Sequence, residues 1–219
     1  MSQYKYFSEN NIKVDGVIHV GAHRGEEIFD YEKLDAKKII WIEPNPEVFY
    51  ELQIALERAD SFIESHGFYV AASDVDSKDV DFHVCYGPDA GFMKGNKGCS
   101  SLLKPKGRFE SWYKKTIKVD TVRLDTLLSE NEFAFSDFQL LDMDTQGAEL
   151  MVLKGASKVL EHVLYVATEA TWSNPDYVDN VMFNELKEYL NSFGFEPVET
   201  FEHTSDWGDV LFVKKIGET

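Results

Sequence analysis

Short apolar runs alternate with amphipathic stretches from Val17 to about residue 193, and this alternation constrains the chain more than any other feature. Val17–Gly21, Ile39–Ile42, Phe68–Ala72, Phe138–Met143 and Val163–Ala167 are too short and apolar for anything but buried strands. Between them, Ile28, Tyr31 and Leu34 line one face of a helix over 26–34. Asn45-Pro46 opens another, because Asn caps free amides and Pro at the first helical position gives up a donor that has no partner. Its stripe is Phe49, Leu52 and Leu56. A third helix is expected over 148–160, interrupted at Gly155. Val178, Met182, Leu186 and Leu190 recur at spacing four, with a stop at Gly194. Val80, Phe82 and Val84 alternate with polar residues as in a half-buried strand. Residues 117–124 form another extended stretch, and 195–201 with 210–213 an antiparallel pair. The pattern predicts an α/β fold, a doubly wound sheet in a single domain over 16–219. Residues 1–15 read as an N-terminal extension whose Tyr4, Tyr6 and Phe7 pack on the core.

Charge narrows the partners. The 219 residues carry a net charge of -17, against a nucleic-acid target, which calls for a basic field over the phosphates. One loop-rich segment, about 87–118, runs the other way: eight basic residues, Lys94, Lys97, Lys104, Lys106, Arg108, Lys114, Lys115 and Lys118, crowd residues 94–118 around Glu110 alone. It is either a solvated loop or a surface that meets an anionic substrate. No stretch of eighteen apolar residues exists and the N-terminus lacks an apolar signal core, so a cytoplasmic protein without a membrane span is expected. Cys85 and Cys99 have no zinc spacing, and a disulfide between them is left open.

Candidate chemistry gathers at strand ends. VIHVGAHRG (17–25) places Gly21 at the end of a strand and Gly25 in the turn that follows. Glycines there let the backbone bend sharply and approach a ligand. A dinucleotide needs G-x-G-x-x-G. Here His23 and Glu26 occupy the second and third glycine positions, so an NAD-dependent oxidoreductase is disfavoured. Glu43 ends the second strand, where a carboxylate accepts hydrogen bonds from ribose hydroxyls. A glycine turn and a ribose carboxylate without pyrophosphate geometry point to S-adenosylmethionine.

The run LLDMDTQGAELMVLKGA (140–156) ends the fourth strand in Asp142 and Asp144 before a Gln146-Gly147 turn. If the strand continues through Asp144, both acids face one side. One is expected to orient a substrate hydroxyl or the ammonium of the cofactor; the alternative is a helix cap. Glu149 reads as a helix-surface acid or a site residue, and Glu169 as a further strand-end acid. Asp144, Glu169 and His23 are the candidate bases, with His203 a weaker one. Ser100, Ser101, Trp172, Ser173 and Asn174 lie in loops after candidate strands, and Trp172 either stacks on a sugar or packs at the rim.

On VIHVGAHRGEE (17–27), WIEPNPEVFYEL (41–52), TVRLDTLL (121–128), DMDTQGAELMVLKGA (142–156) and DVLFVKK (209–215), the chain resembles the FkbM family of S-adenosylmethionine-dependent methyltransferases. The resemblance implies a Rossmann-like class I fold, a three-layer sandwich on a mixed sheet of seven strands in order 3-2-1-4-5-7-6. It implies O-methylation of a hydroxyl on a sugar, glycan or related small acceptor, with S-adenosylhomocysteine as product. On it, Gly21, Ala22 and Gly25 line the methionine end, with His23 and Asp142 also toward the cofactor. Glu43 holds the ribose, Ala72, Ser73 and Asp74 lie near the adenine, and Asp144 is the strand-four acid. The family often has an acid, an asparagine and a lysine where His19, His23 and Asp142 stand; His19 is expected to be a packed core histidine. No metal is assigned. The competing function is a glycan-binding protein built on a decayed methyltransferase domain.

Overall fold

A computed structural model describes residues 4–88 and 95–215. Helix α1 (Tyr4–Glu9) leads to β1 (Gly16–Val20), α2 (Ile28–Lys33), β2 (Lys38–Ile42), α3 (Pro46–Arg58) and β3 (Glu64–Phe68). A small insertion follows, with β4 (Ala71–Ala72), β5 (Ser77–Cys85) and β6 (Tyr113–Val122). The chain then returns through α4 (Leu124–Glu130), β7 (Leu140–Met143), α5 (Glu149–Lys154), α6 (Ser157–His162), β8 (Tyr165–Thr171), α7 (Phe183–Ser192), β9 (Phe195–Glu202) and β10 (Trp207–Lys214).

The seven-stranded sheet has the order β3-β2-β1-β7-β8-β10-β9. All pairs are parallel except those of β10, which runs antiparallel to both neighbours. This is the mixed sheet and strand order expected above, and it is a three-layer α/β sandwich. One face packs Ile18, Ile40, Leu141 and Val166 under α4–α7; the other packs Val17, Ile39, Trp41 and Leu140 under α1–α3. Phe7 of α1 is fully buried there, with its ring 5.0 Å from that of Tyr165, whereas Tyr6 is only partly covered.

Local rules set several boundaries. Asn45 caps α3, its side-chain oxygen accepting from the Glu47 amide at 3.1 Å, with Pro46 in the first turn. The 148–160 helix is two helices broken at Gly155. Two expectations are corrected. The third strand is not 68–72 but Glu64–Phe68, and Ala71–Ala72 pairs instead with β6 in a second sheet of order β4-β6-β5. Val178 does not belong to the α7 stripe: the helix begins at Phe183, and Val178 stays exposed while its amide donates to the Lys104 carbonyl. The basic segment is only partly loop, because Tyr113–Val122 is a strand; its Lys94 lies outside the described residues. Cys85 and Cys99 are free thiols. Among the described residues, no helix is long and apolar enough to cross a membrane.

Candidate active site

Strand register assembles the site. Val20 pairs with Ile42 on one side and Met143 on the other, and Met143 pairs with Thr168. The next residue on each strand is therefore Gly21, Glu43, Asp144 or Glu169, one row across the carboxyl ends of four strands. Asp209 on β10 extends it, lying opposite Glu169. Parallel strands put their carboxyl ends at one edge, and ligands of such sheets bind there.

Gly21 is the low point of the row. Its φ is +80°, and a Cβ there would be driven into the Asp144 carbonyl oxygen. Only glycine lets β1 turn away while lying this close to β7. Gly21, His23, Glu43, Ala72, Asp144 and Thr145 share the walls of a cavity of about 500 Å³, closed on the insertion side by Phe82, Lys97 and Leu102. Lys97 is held there by Glu47 at 2.6 Å.

Glu43 is buried, and its two oxygens accept from the backbone amides of His23 (3.1 Å) and Asn45 (2.7 Å). Burial pushes its carboxyl up to about 7, against the pull of those amides and of His23. Asp144 is also pushed up to about 7, first by the protein crowded around it. Its side chain is nonetheless exposed at the mouth of the cleft, where solvent moderates that shift. His23 has φ +43° and its Nδ1 lies 3.0 Å from Glu26. That hydrogen bond raises the His23 pKa. Burial opposes ionisation of Glu26, but the bond and charge of His23 outweigh it and hold its carboxyl at about 2.

A second cavity of about 920 Å³ adjoins the first across Gln146. Among the described residues, its walls hold five aromatics, Phe109, Trp112, Tyr113, Tyr177 and Trp207, and three acids, Glu169, Asp176 and Asp206. Tyr177 Oη donates to Gln146 Oε1 at 3.0 Å, which fixes the amide orientation. Gln146 Nε2 then donates to Asp144 at 2.6 Å and to Glu169 at 3.2 Å. Burial and the nearby Asp144 charge raise the Glu169 pKa well above its ordinary value. Glu149 is neither a helix-surface acid nor open to a ligand. It is buried and holds the turn, accepting from the Thr145 and Gly147 amides and the Thr145 hydroxyl.

Other expected site residues stand elsewhere. Ala22 is fully buried among core residues. Gly25 makes room for α3, since a Cβ would meet Leu52 at 2.8 Å. Ser73 is buried with its amide on Val122, and Asp74 is exposed; neither lines the cavity that Ala72 does. Asp142 lies one row deeper. There Tyr31 Oη donates to Asp142 at 2.7 Å and accepts from His19 Nδ1–H at 2.9 Å. His19 is thus the packed core histidine expected. His203 bonds Asp209 at 2.8 Å outside both cavities. Ser100 lines the first cavity, Ser173 and Asn174 the second, and Trp172 packs against Phe183. Ser101 is buried and donates to the Gln146 carbonyl. Sequence reasoning missed Gln146, Tyr113 and Tyr177 as site residues; Gln146 stood in view as a turn residue.

A family model described as Methyltransferase FkbM domain matches residues 19–197. The chain belongs to the FkbM methyltransferase family. Like its relatives, this FkbM protein is an S-adenosylmethionine-dependent methyltransferase, with S-adenosylhomocysteine as product. Solved structures agree in fold. The chain is similar to magnesium protoporphyrin IX methyltransferase from Synechocystis PCC 6803 with bound cofactor, at 8% identity and TM-score 0.53, over 97% of this chain and 76% of that one. It is also similar to TrmK from M. capricolum in complex with S-adenosylhomocysteine, at 7% identity and TM-score 0.54, over 99% and 69%. A putative RNA methyltransferase from Pyrococcus horikoshii matches at 12% identity and TM-score 0.51, over 99% and 81%. No curated protein matches the sequence.

The first cavity of this FkbM protein fits the cofactor on its own features. Gly21 lets the ends of β1 and β7 close up at the cavity wall, and Glu43 keeps acceptor capacity beyond its two amide donors. His23 Nε2 is buried in the same wall with no hydrogen-bond partner among the described residues.

Proposed function

We propose that this methyltransferase acts on a hydroxyl of a sugar, glycan or related small acceptor, with the aromatic cavity as acceptor site. The observation that carries this reading is the Gln146 amide joining Asp144, in the cofactor cavity, to Glu169, in the acceptor cavity. Aromatic rings matched with acids and amides suit the apolar faces and hydroxyl edges of a sugar.

In this reading Glu43 holds the ribose hydroxyls, and Gly21 and Ala72 shape the walls around the cofactor. S-adenosylmethionine supplies an electrophilic methyl group. Glu169 accepts the proton of the acceptor hydroxyl; its raised pKa strengthens it as a base, and the Gln146 donor favours its ionised form. Asp144 faces the cofactor side and offers negative charge to a cation. His23 is engaged with Glu26 and serves the wall beside Glu43 rather than the acceptor.

The test is methyl transfer from labelled cofactor to a panel of sugars, alcohols and amines. Transfer to hydroxyl acceptors is expected. Glu169→Gln should lower turnover about a hundredfold or more while S-adenosylhomocysteine binds as before. Transfer to amines alone, or undiminished turnover in Glu169→Gln, would overturn the reading.

A further inference from the structure

The two cysteines of the chain meet beside the wall that separates the cavities. His83 and Ser101 face each other as an antiparallel pair and exchange both backbone hydrogen bonds, at 2.8 and 3.1 Å. Two residues further along the two chains stand Cys85 and Cys99. The Cys85 amide donates to the hydroxyl of the next residue, Ser100, at 3.1 Å. Across β5 and β6, Cys85 is paired with Tyr113, whose hydroxyl donates to the Cys99 carbonyl at 2.5 Å. The two thiols are hydrogen-bonded to each other. Facing residues of an antiparallel pair have Cα atoms about 4.5–5.5 Å apart, inside the range of about 4.4–6.8 Å that a disulfide spans. Both cysteines are nonetheless free.

Their surroundings divide the chemistry between them. Cys99 lines the second cavity and is reached from it, whereas Cys85 is fully buried. Hydrogen bonding from the Cys99 thiol pulls the Cys85 thiol down to about 7, and the Gly87 amide, 3.3 Å from Cys85 Sγ, acts in the same sense. An accessible sulfur with a second sulfur behind it is the arrangement in which a sulfenic acid is resolved to a disulfide. We infer that Cys85 and Cys99 form a peroxide-sensitive modification site, closing to a disulfide that resets the wall shared by the two cavities. Peroxide transfers one oxygen to Cys99 Sγ, and its O–O bond breaks to release water. Cys85 Sγ then attacks that sulfur, the S–O bond breaks, and the departing hydroxide takes the Cys85 proton to form a second water. Two thiols are oxidised and one peroxide is reduced. The new bond, about 2.05 Å long, draws the Cys99 sulfur toward Cys85. Both cavities feel that movement. Gly98 and Ser100 line the first, and the Cys99 carbonyl holds the hydroxyls of Tyr113 and Tyr177, which line the second. The inference does not depend on which acceptor is methylated.

The test is titration of the whole protein with hydrogen peroxide. Free thiols are counted by alkylation after unfolding, and linked peptides are identified by mass. The two thiols should vanish together within one chain, leave a peptide joining Cys85 to Cys99, and return on treatment with dithiothreitol. In Cys85→Ala the sulfenic acid should persist at Cys99 and take a dimedone label that the wild type does not retain. Loss of Cys99 alone in the wild type, a covalent dimer, or thiols that outlast excess peroxide would overturn the assignment. Oxidised and re-reduced wild type are then titrated with S-adenosylhomocysteine, with the thermal midpoint confirming folding. The affinities of the two states should differ by about fivefold or more. Equal affinities would overturn the resetting of the shared wall. If neither state binds, the cofactor-site reading fails, and the thiol count still decides the modification site.

Discussion

Cofactor affinity should fall as the solution is acidified through neutrality. Glu43 and Asp144 are both pushed up to about 7 by burial. In the proposed binding mode, ribose hydroxyls bonded to Glu43 and a cationic group beside Asp144 both favour the ionised carboxylate, so binding would expel a proton wherever one is bound. A ligand that takes only the ionised form of a group with pKa about 7 binds about tenfold more weakly at pH 6 than at pH 8, and two such groups give about a hundredfold. Asp144 opens onto the cleft and is shifted less in water than Glu43, which places the expected loss between those limits. The surrounding charges act in both directions. His23 is protonated in the lower part of the range and favours ionised Glu43, whereas Glu149, Asp209 and Glu169 disfavour ionised Asp144 and His19 favours it. The assay is titration calorimetry with S-adenosylhomocysteine between about pH 6 and about pH 8, in two buffers of different ionisation enthalpy. Proton release appears as a buffer-dependent heat. Glu43→Gln should bind more weakly at pH 8 and show a shallower slope. A flat profile, tighter binding in acid, or an unchanged slope in Glu43→Gln would refute the reasoning.

Gly21→Ala combines a left-handed φ with a collision against the Asp144 carbonyl, so it should cost at least about 2 kcal/mol in urea unfolding and abolish cofactor binding. Tyr31→Phe removes the hydroxyl between His19 and Asp142 and leaves two buried polar groups short of a partner; a loss of about 1–3 kcal/mol is expected with cofactor affinity little changed. Gln146→Leu removes the donor shared by two carboxylates. Their pKa values should rise, moving the acid limb of the pH–rate profile to higher pH, while a purely structural role would lower the rate without moving that limb.

The strand ends were legible because their signals are local. Apolar runs stopping at Gly21, Glu43, Asp144 and Glu169 mark where buried strands meet water, and register then aligns those residues without further information. The separation of Asp142 from Asp144 was not legible. Alternation places both on one side of a strand, but the chain leaves the sheet after Met143, and Tyr31 from a distant helix claims Asp142. Gly25 misled for a related reason: space for Leu52 and space for a ligand call for the same residue type. Tyr113 and Tyr177 reach the site through the bridge between Pro105 and Tyr177 and the folding back of β6, which are long-range pairings with no local periodicity.

The stretch Gly98–Ser100 has its own consequence. Gly98 and Ser100 line the first cavity while Cys99 between them lines the second, and the Cys99 carbonyl accepts from the Tyr113 hydroxyl at 2.5 Å. One strip of backbone is a party wall. A ligand that displaced it would reshape the neighbouring room as well and so couple the two occupancies. Thermodynamics then requires symmetry: whatever factor the first guest applies to the affinity of the second, the second applies to the first.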